Sequence, residues 1–308
     1  MPKSLSFRPS VAAVAVLSAV ALSLPVAAQP LSTAARRCVS AVDKGTAGLA
    51  QTQVSVELDC LKQAAAGKLG PLLTAEACIA ADSKGRLEQR RLSVLIAEPQ
   101  RCVAGQLPNI GVPFLGAPYL PAATPQAFDP VLNEMYAETT LVAVPKAGTL
   151  LLRDAFGDPL DSGLLLSATN AAGAACQKRL AKALTGCARA QRKAVLSCKK
   201  KSLAHGITSA AAIESACMET NGNAASGLPD PRGKLAKACT TAVDAVLSRY
   251  CAGQIPAAVS GACASAVDTS VCLVDRVDCR VCQETNSASG LTRDCDLLDD
   301  GLDNNSCG

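Results

Sequence analysis

Two long stretches of this chain carry apolar positions, most of them alanine, interleaved with charges at helical spacing. The first runs from about Leu31 to Ala66 and stops at Gly67 and Gly70-Pro71, which predicts a long helix with a defined end. Its interior Gly45 and Gly48 are the places where it should weaken. Thr74 is positioned to cap a short second helix carrying Cys78. Asp82 to Gly85 reads as a turn, and Arg86 to about Ala97 as a third helix ending before Pro99. The second stretch repeats this order. A strong helix from Ala174 to about Ala204 is stopped by Gly206, Thr208 or Ser209 opens the next piece, Asn221 to Pro231 is a loop, and Lys234 to Tyr250 is helical. Between the two, Gln106 to Pro130 is a proline-rich irregular linker. Apolar segments around Phe128 to Val144 and Leu150 to Leu166 are candidates for short helices packed on the second unit.

The cysteines keep to the same repeat. Cys38, Cys60, Cys78 and Cys102 are separated by 22, 18 and 24 residues, and Cys176, Cys198, Cys217 and Cys251 by 22, 19 and 34. Two strings fix the alignment: DSKGRL (82–87) returns as DPRGKL (230–235), and AGQLP (104–108) as AGQIP (252–256). If the chain after each long helix folds back along it, Cys60 meets Cys78 near the bend and Cys38 meets Cys102 at the open end. The second copy then pairs Cys198 with Cys217 and Cys176 with Cys251. Cys187 lies 11 residues from both Cys176 and Cys198, about three helical turns, so the three share a stripe and Cys187–Cys239 becomes a middle rung. Alanine-rich faces permit the short Cα separation, about 4.4–6.8 Å, that a disulfide needs. The remaining Cys263, Cys272, Cys279, Cys282, Cys295 and Cys307 form a compact C-terminal group whose pairing stays open.

Composition supports a chain held by sulfur. All 16 cysteines come after a start that reads as a secretory signal over residues 1–28: Lys3 and Arg8, an apolar stretch from Val11 to Leu24, then Val26-Ala27-Ala28. An even cysteine count in an oxidising compartment is a disulfide framework. Aromatic residues are 2% of the chain and Trp is absent, so bulky core packing is scarce. No segment after the signal is long and apolar enough to span a bilayer. The expected location is secreted, periplasmic or cell-surface.

Charge is uneven although the net value is only +4. From Cys176 to Lys201 there are nine Lys or Arg and no acid, whereas Asp268 to Asp303 holds nine Asp or Glu and three Arg. The basic helix, and Lys199, Lys200 and Lys201 in particular, is a candidate surface for an anionic polymer. No aromatics are interleaved with it for base stacking. In the acidic end, Asp296, Asp299, Asp300 and Asp303 offer hard oxygen ligands for calcium, the one cofactor candidate, while a loop of local Asp turns is the plainer alternative. The CxxC of Cys279 and Cys282 lacks the βαβ context of a redox motif and reads as structural. His205, the single histidine, stands at a helix end, and Ser–His–Asp or Cys–His chemistry is barely open to the chain.

The second copy and above all the tail CLVDRVDCRVCQETNSASGLTRDCDLLDDGLDNNSC (272–307) resemble a group of uncharacterised secreted proteins from environmental Gram-negative bacteria, cysteine-rich and built of Ala/Lys-rich helical repeats. The resemblance implies secretion and a modular build, and brings no activity with it. The expected fold is all-α: two disulfide-stapled antiparallel helical hairpins (29–108 and 171–261), a linker with short apolar segments (109–170), and a cysteine-rich acidic module (262–308). The expected role is a non-enzymatic secreted or envelope-associated structural or interaction protein of unknown partner, such as an envelope component or an anionic polymer. The alternatives are a polyanion-binding module using the basic helix 176–201 and, more remotely, an unrecognised hydrolase.

Overall fold

The computed structural model describes residues 33–70, 74–101, 150–207, 209–218, 230, 232–289, 291, 293–299 and 307. The signal segment, the proline-rich linker with Phe128 to Val144, Cys102, the 221–229 loop, Asp300 and Asp303 lie outside them. The fold is all-α, and no strand occurs among the described residues. In chain order the helices are α1 (Thr33–Ala65), α2 (Ala75–Ala81), α3 (Arg86–Arg101), α4 (150–156), α5 (Ala171–Ala204), α6 (Ala210–Met218), α7 (Lys234–Ala238), α8 (Thr240–Tyr250), α9 (Ile255–Ala258), α10 (Thr269–Ser289) and α11 (Asp296–Asp299), with a 3-10 turn at Leu160–Gly163. No described helix is long and apolar enough to cross a membrane.

Helix α5 is the axis on which the rest is hung. It packs against α1, α8 and α10 on different faces, so its buried residues form a broad band rather than one stripe. Paired positions give the directions. Gln51 faces Arg189 and Asp43 faces Lys199, so α1 is antiparallel to α5. Asp278, Glu284 and Ser289 meet Gln191, Arg192 and Lys199 in order, so α10 is parallel to it. The main core lies where these helices meet α4. It holds Leu180, Leu184, Val243, Val277 and Phe156, the last being the largest fully buried side chain described. Burying a Leu or Phe contributes roughly 1.5–3 kcal/mol, but the alanines around them contribute far less. Disulfides add to this packing between α5 and the segments that return along it, while α1 and α10 are held on α5 by packing and buried ion pairs.

The rungs are in place. Cys176 bonds Cys251 and Cys187 bonds Cys239, with Cα separations of 4.9 and 4.5 Å, and both tie α5 to the returning helices. Cys60–Cys78 and Cys198–Cys217 close the two bends, each with a Cα separation of 5.7 Å. Cys38 is disulfide-bonded, and its expected partner Cys102 lies outside the described residues. In the C-terminal module, where spacing leaves the pairing open, the connectivity is Cys263–Cys272, Cys279–Cys307 and Cys282–Cys295.

The repeated DxxGxL string makes the same capping contact in both copies. Asp82 Oδ2 accepts the Leu87 N–H at 2.7 Å, and Asp230 Oδ2 accepts the Leu235 N–H at 2.7 Å. Gly85 and Gly233 sit at φ +57° and +61°, a left-handed geometry that glycine adopts without strain. Each aspartate thereby caps the next helix. Thr74 caps α2 through the Ala77 N–H, as its position implied.

Three local expectations are corrected. Helix α3 does not end before Pro99 but runs on to Arg101. Pro99 falls in its last turn, where one lost backbone hydrogen bond is tolerated, and the four extra residues carry the helix about 6 Å farther. The 234–250 helix is broken at Cys239, whose ψ of −89° leaves the helical range where the chain dips toward Cys187. Helix α1 continues through Gly45 and Gly48, and Gly48 has a packing use. The Arg90 guanidinium lies over it, donating to the Lys44 carbonyl at 3.2 Å, in space that a Cβ would occupy.

Candidate functional site

The nine cations of the basic helix separate by direction around α5. Lys178, Lys182 and Lys201 are exposed, and Arg179 stacks on the Tyr250 ring, 3.8 Å from its centre. Two others turn inward. Arg192 is bidentate to Glu284 of α10, with Nη2 to Oε1 at 2.6 Å. Lys199 donates to Asp43 of α1 at 2.6 Å and to Ser289 of α10 at 2.9 Å. The Lys199 and Asp43 side chains are 2% and 7% exposed. Burial pushes the Asp43 carboxyl above its ordinary value of 3.8, while the Lys199 charge and hydrogen bond pull it back down. Lys199 is thus no surface cation, which corrects its place in the Lys199–Lys201 polyanion set: only Lys200 and Lys201 are exposed.

The remaining cations define a site. Arg189, Lys193 and Lys200 recur at i, i+4 and i+11, so they line one edge of α5. Because α1 is antiparallel, it brings Arg36 and Lys44 to the opposite wall. Together they border a groove of about 440 Å³, floored by small and apolar residues including Ala47, Gly48 and Leu196. Arg192 also lines it. Asp43 is the one acidic residue of the lining and is already bonded to Lys199. None of the five bordering cations forms an ion pair among the described residues. Arg189 is steadied by Gln51, with Nε to Oε1 at 3.1 Å. The sequence marked the α5 half of this site. Arg36 and Lys44 carry no comparable signal, because only the antiparallel packing of two distant segments brings them opposite α5.

The other candidates resolve into structure. Asp296 Oδ1 accepts the Cys307 N–H at 2.8 Å, and Asp294 caps the short α11 through the Asp296 N–H. Asp299 ends α11, while Asp300 and Asp303 lie outside the described residues. No cluster of three metal-ligating side chains occurs among the described residues. Cys279 and Cys282 do not bond each other. Being three residues apart on α10, they share a face and each reaches into the tail. Arg280 beside them is buried, holds both Asp154 oxygens at 2.7 and 2.9 Å, and donates to the Cys307 carbonyl. His205 is exposed at the C-cap of α5. The DxxGxL turns have helix N–H groups occupied by their own aspartates. No family model, curated protein or solved structure matches the chain.

Proposed function

We propose that this chain is a non-enzymatic structural or interaction protein working outside the reducing cytoplasm, in the secreted, periplasmic or cell-surface space. The reading is supported by the cysteines, none of which is free among the described residues, since such a framework persists only where thiols are oxidised. The observation that carries it is the use made of the buried charges. Asp43–Lys199, Arg192–Glu284 and Asp154–Arg280 are each an inter-helix tie between oppositely charged partners, and a poised acid or base would need a different setting. The second reading, a polyanion-binding module, is favoured by the open basic groove between α1 and α5. Incubation of the mature chain with isolated envelopes of its producing organism tests the main reading. Saturable retention is expected. Turnover of ester, glycoside or peptide substrates by the purified protein, or failure of any saturable retention, would overturn it.

A further inference from the structure

We infer that the α1–α5 groove binds a linear anionic polysaccharide, whose sulfate or carboxylate groups lie along Arg36, Lys44, Arg189, Lys193 and Lys200. This names the partner class for the interaction role proposed above and rests on that role. The cations are strung out rather than gathered. Arg189 to Lys200 spans eleven residues of helix, about 16 Å, and Arg36 to Lys44 spans eight, about 12 Å, on the facing wall. Such a double row suits a polymer with charges at intervals better than a single small ion. The two bordering arginines present planar forks that match carboxylate and sulfate oxygens in pairs. Arg192 also lines the groove, buried and tied to Glu284, so the charges open to a polymer are the five bordering cations. No aromatic lines the groove, so stacked bases find no platform and a nucleic acid is disfavoured. Ala47 keeps the floor low, where a larger side chain would narrow the channel.

The test uses the full mature chain and size-defined heparin oligosaccharides, titrated at several salt concentrations. Two variants remove the same charge. Arg189→Gln/Lys193→Gln/Lys200→Gln strips the α5 wall, whereas Lys201→Gln/Lys237→Gln/Arg249→Gln removes three exposed cations that do not line the groove. The first should weaken binding on the order of a hundredfold at low salt and flatten its salt dependence, while the second should change it less than about threefold. Arg36→Gln/Lys44→Gln, on the other wall, should weaken binding in the same direction by roughly tenfold or more. Unchanged circular dichroism and melting certify the fold of each variant. Equal losses in the two triple variants would overturn the groove. So would tighter binding to single-stranded DNA, or to phosphatidylglycerol vesicles, than to heparin at the same salt. Wild-type protein that ignores heparin but is still retained saturably by envelopes would sink the polysaccharide assignment alone, and absence of both would sink the interaction role.

Discussion

Replacing Lys199 by alanine is the sharpest test of how α1, α5 and α10 are joined. The side chain bridges Asp43 and Ser289, and the pair with Asp43 is almost wholly withdrawn from solvent. Removing one partner of a buried ion pair costs about 3–5 kcal/mol, because the other charge is left uncompensated in a poorly solvating site. Set against a total stability of about 5–15 kcal/mol, that is a large fraction. Removing both charges is different: Lys199→Met with Asp43→Leu loses the attraction and the desolvation penalty together, and should be within about 2 kcal/mol of wild type. Urea unfolding of the oxidised protein, run as a double-mutant cycle, reads both quantities. A coupling of about 4 kcal/mol or more is expected, because either single change costs about 3–5 kcal/mol and the double change no more than about 2. A Lys199→Ala cost below about 1 kcal/mol, with no coupling to Asp43, would show that Lys199 is a solvated surface residue and that the three helices are not joined through it.

The same pair predicts a pH effect. Asp43 holds its proton more tightly folded than unfolded, so unfolding releases it, and this residue makes stability fall as pH rises from 3.8 through its raised folded value. Asp43→Asn should remove that negative contribution, seen as a more positive slope of unfolding free energy against pH in that window, and an unchanged slope would refute it. Among the disulfides, Cys187–Cys239 stays closed inside the Cys176–Cys251 loop, so replacing the outer pair by serines frees only arms of 11 and 12 residues. That change should cost about 3 kcal/mol, close to the cost for Cys198–Cys217 with its separation of 19; an outer-pair loss above about 5 kcal/mol in thermal unfolding would count against the chain-entropy account. Asp82→Ala, which deletes the acceptor of one helix N–H, should cost about 1 kcal/mol and Asp230→Ala, which deletes the acceptor of three, about 2 kcal/mol; equal shifts of the denaturant midpoint would count against this.

The ladder is legible in the sequence because helix geometry and cysteine spacing constrain each other. An 11-residue interval returns to one face of α5, so Cys176, Cys187 and Cys198 have to point toward the segments that fold back on them. The tail is not legible, since Cys279 and Cys282 lie on one face of α10 and their partners sit on a short acidic segment with no helical period of its own. Lys199 escapes a surface-charge reading for a related reason. In the run Lys199–Lys201 the three look alike, yet Ala188, Val195 and Lys199 keep to the i, i+7, i+11 course of a buried face, while Lys200 and Lys201 turn outward. Extending the alanine stripe of α5 to its end marks that position as buried. No pattern in α5 supplies the partner, because Asp43 lies more than 150 residues away in the other copy.

The segments that return along α5 are held to it by disulfides across alanine-faced contacts that apolar burial alone would hold weakly, and the C-terminal module is stapled to α10 in the same way. Mass-spectrometric disulfide mapping of the native protein, digested without reduction at acidic pH to prevent exchange, tests this most directly. Linked peptides joining Cys187 to Cys239, Cys176 to Cys251, Cys279 to Cys307 and Cys282 to Cys295, with no alkylatable thiol, are the predicted result. A Cys279–Cys282 bridge, or free thiols at Cys176, Cys187, Cys239 and Cys251, would contradict it.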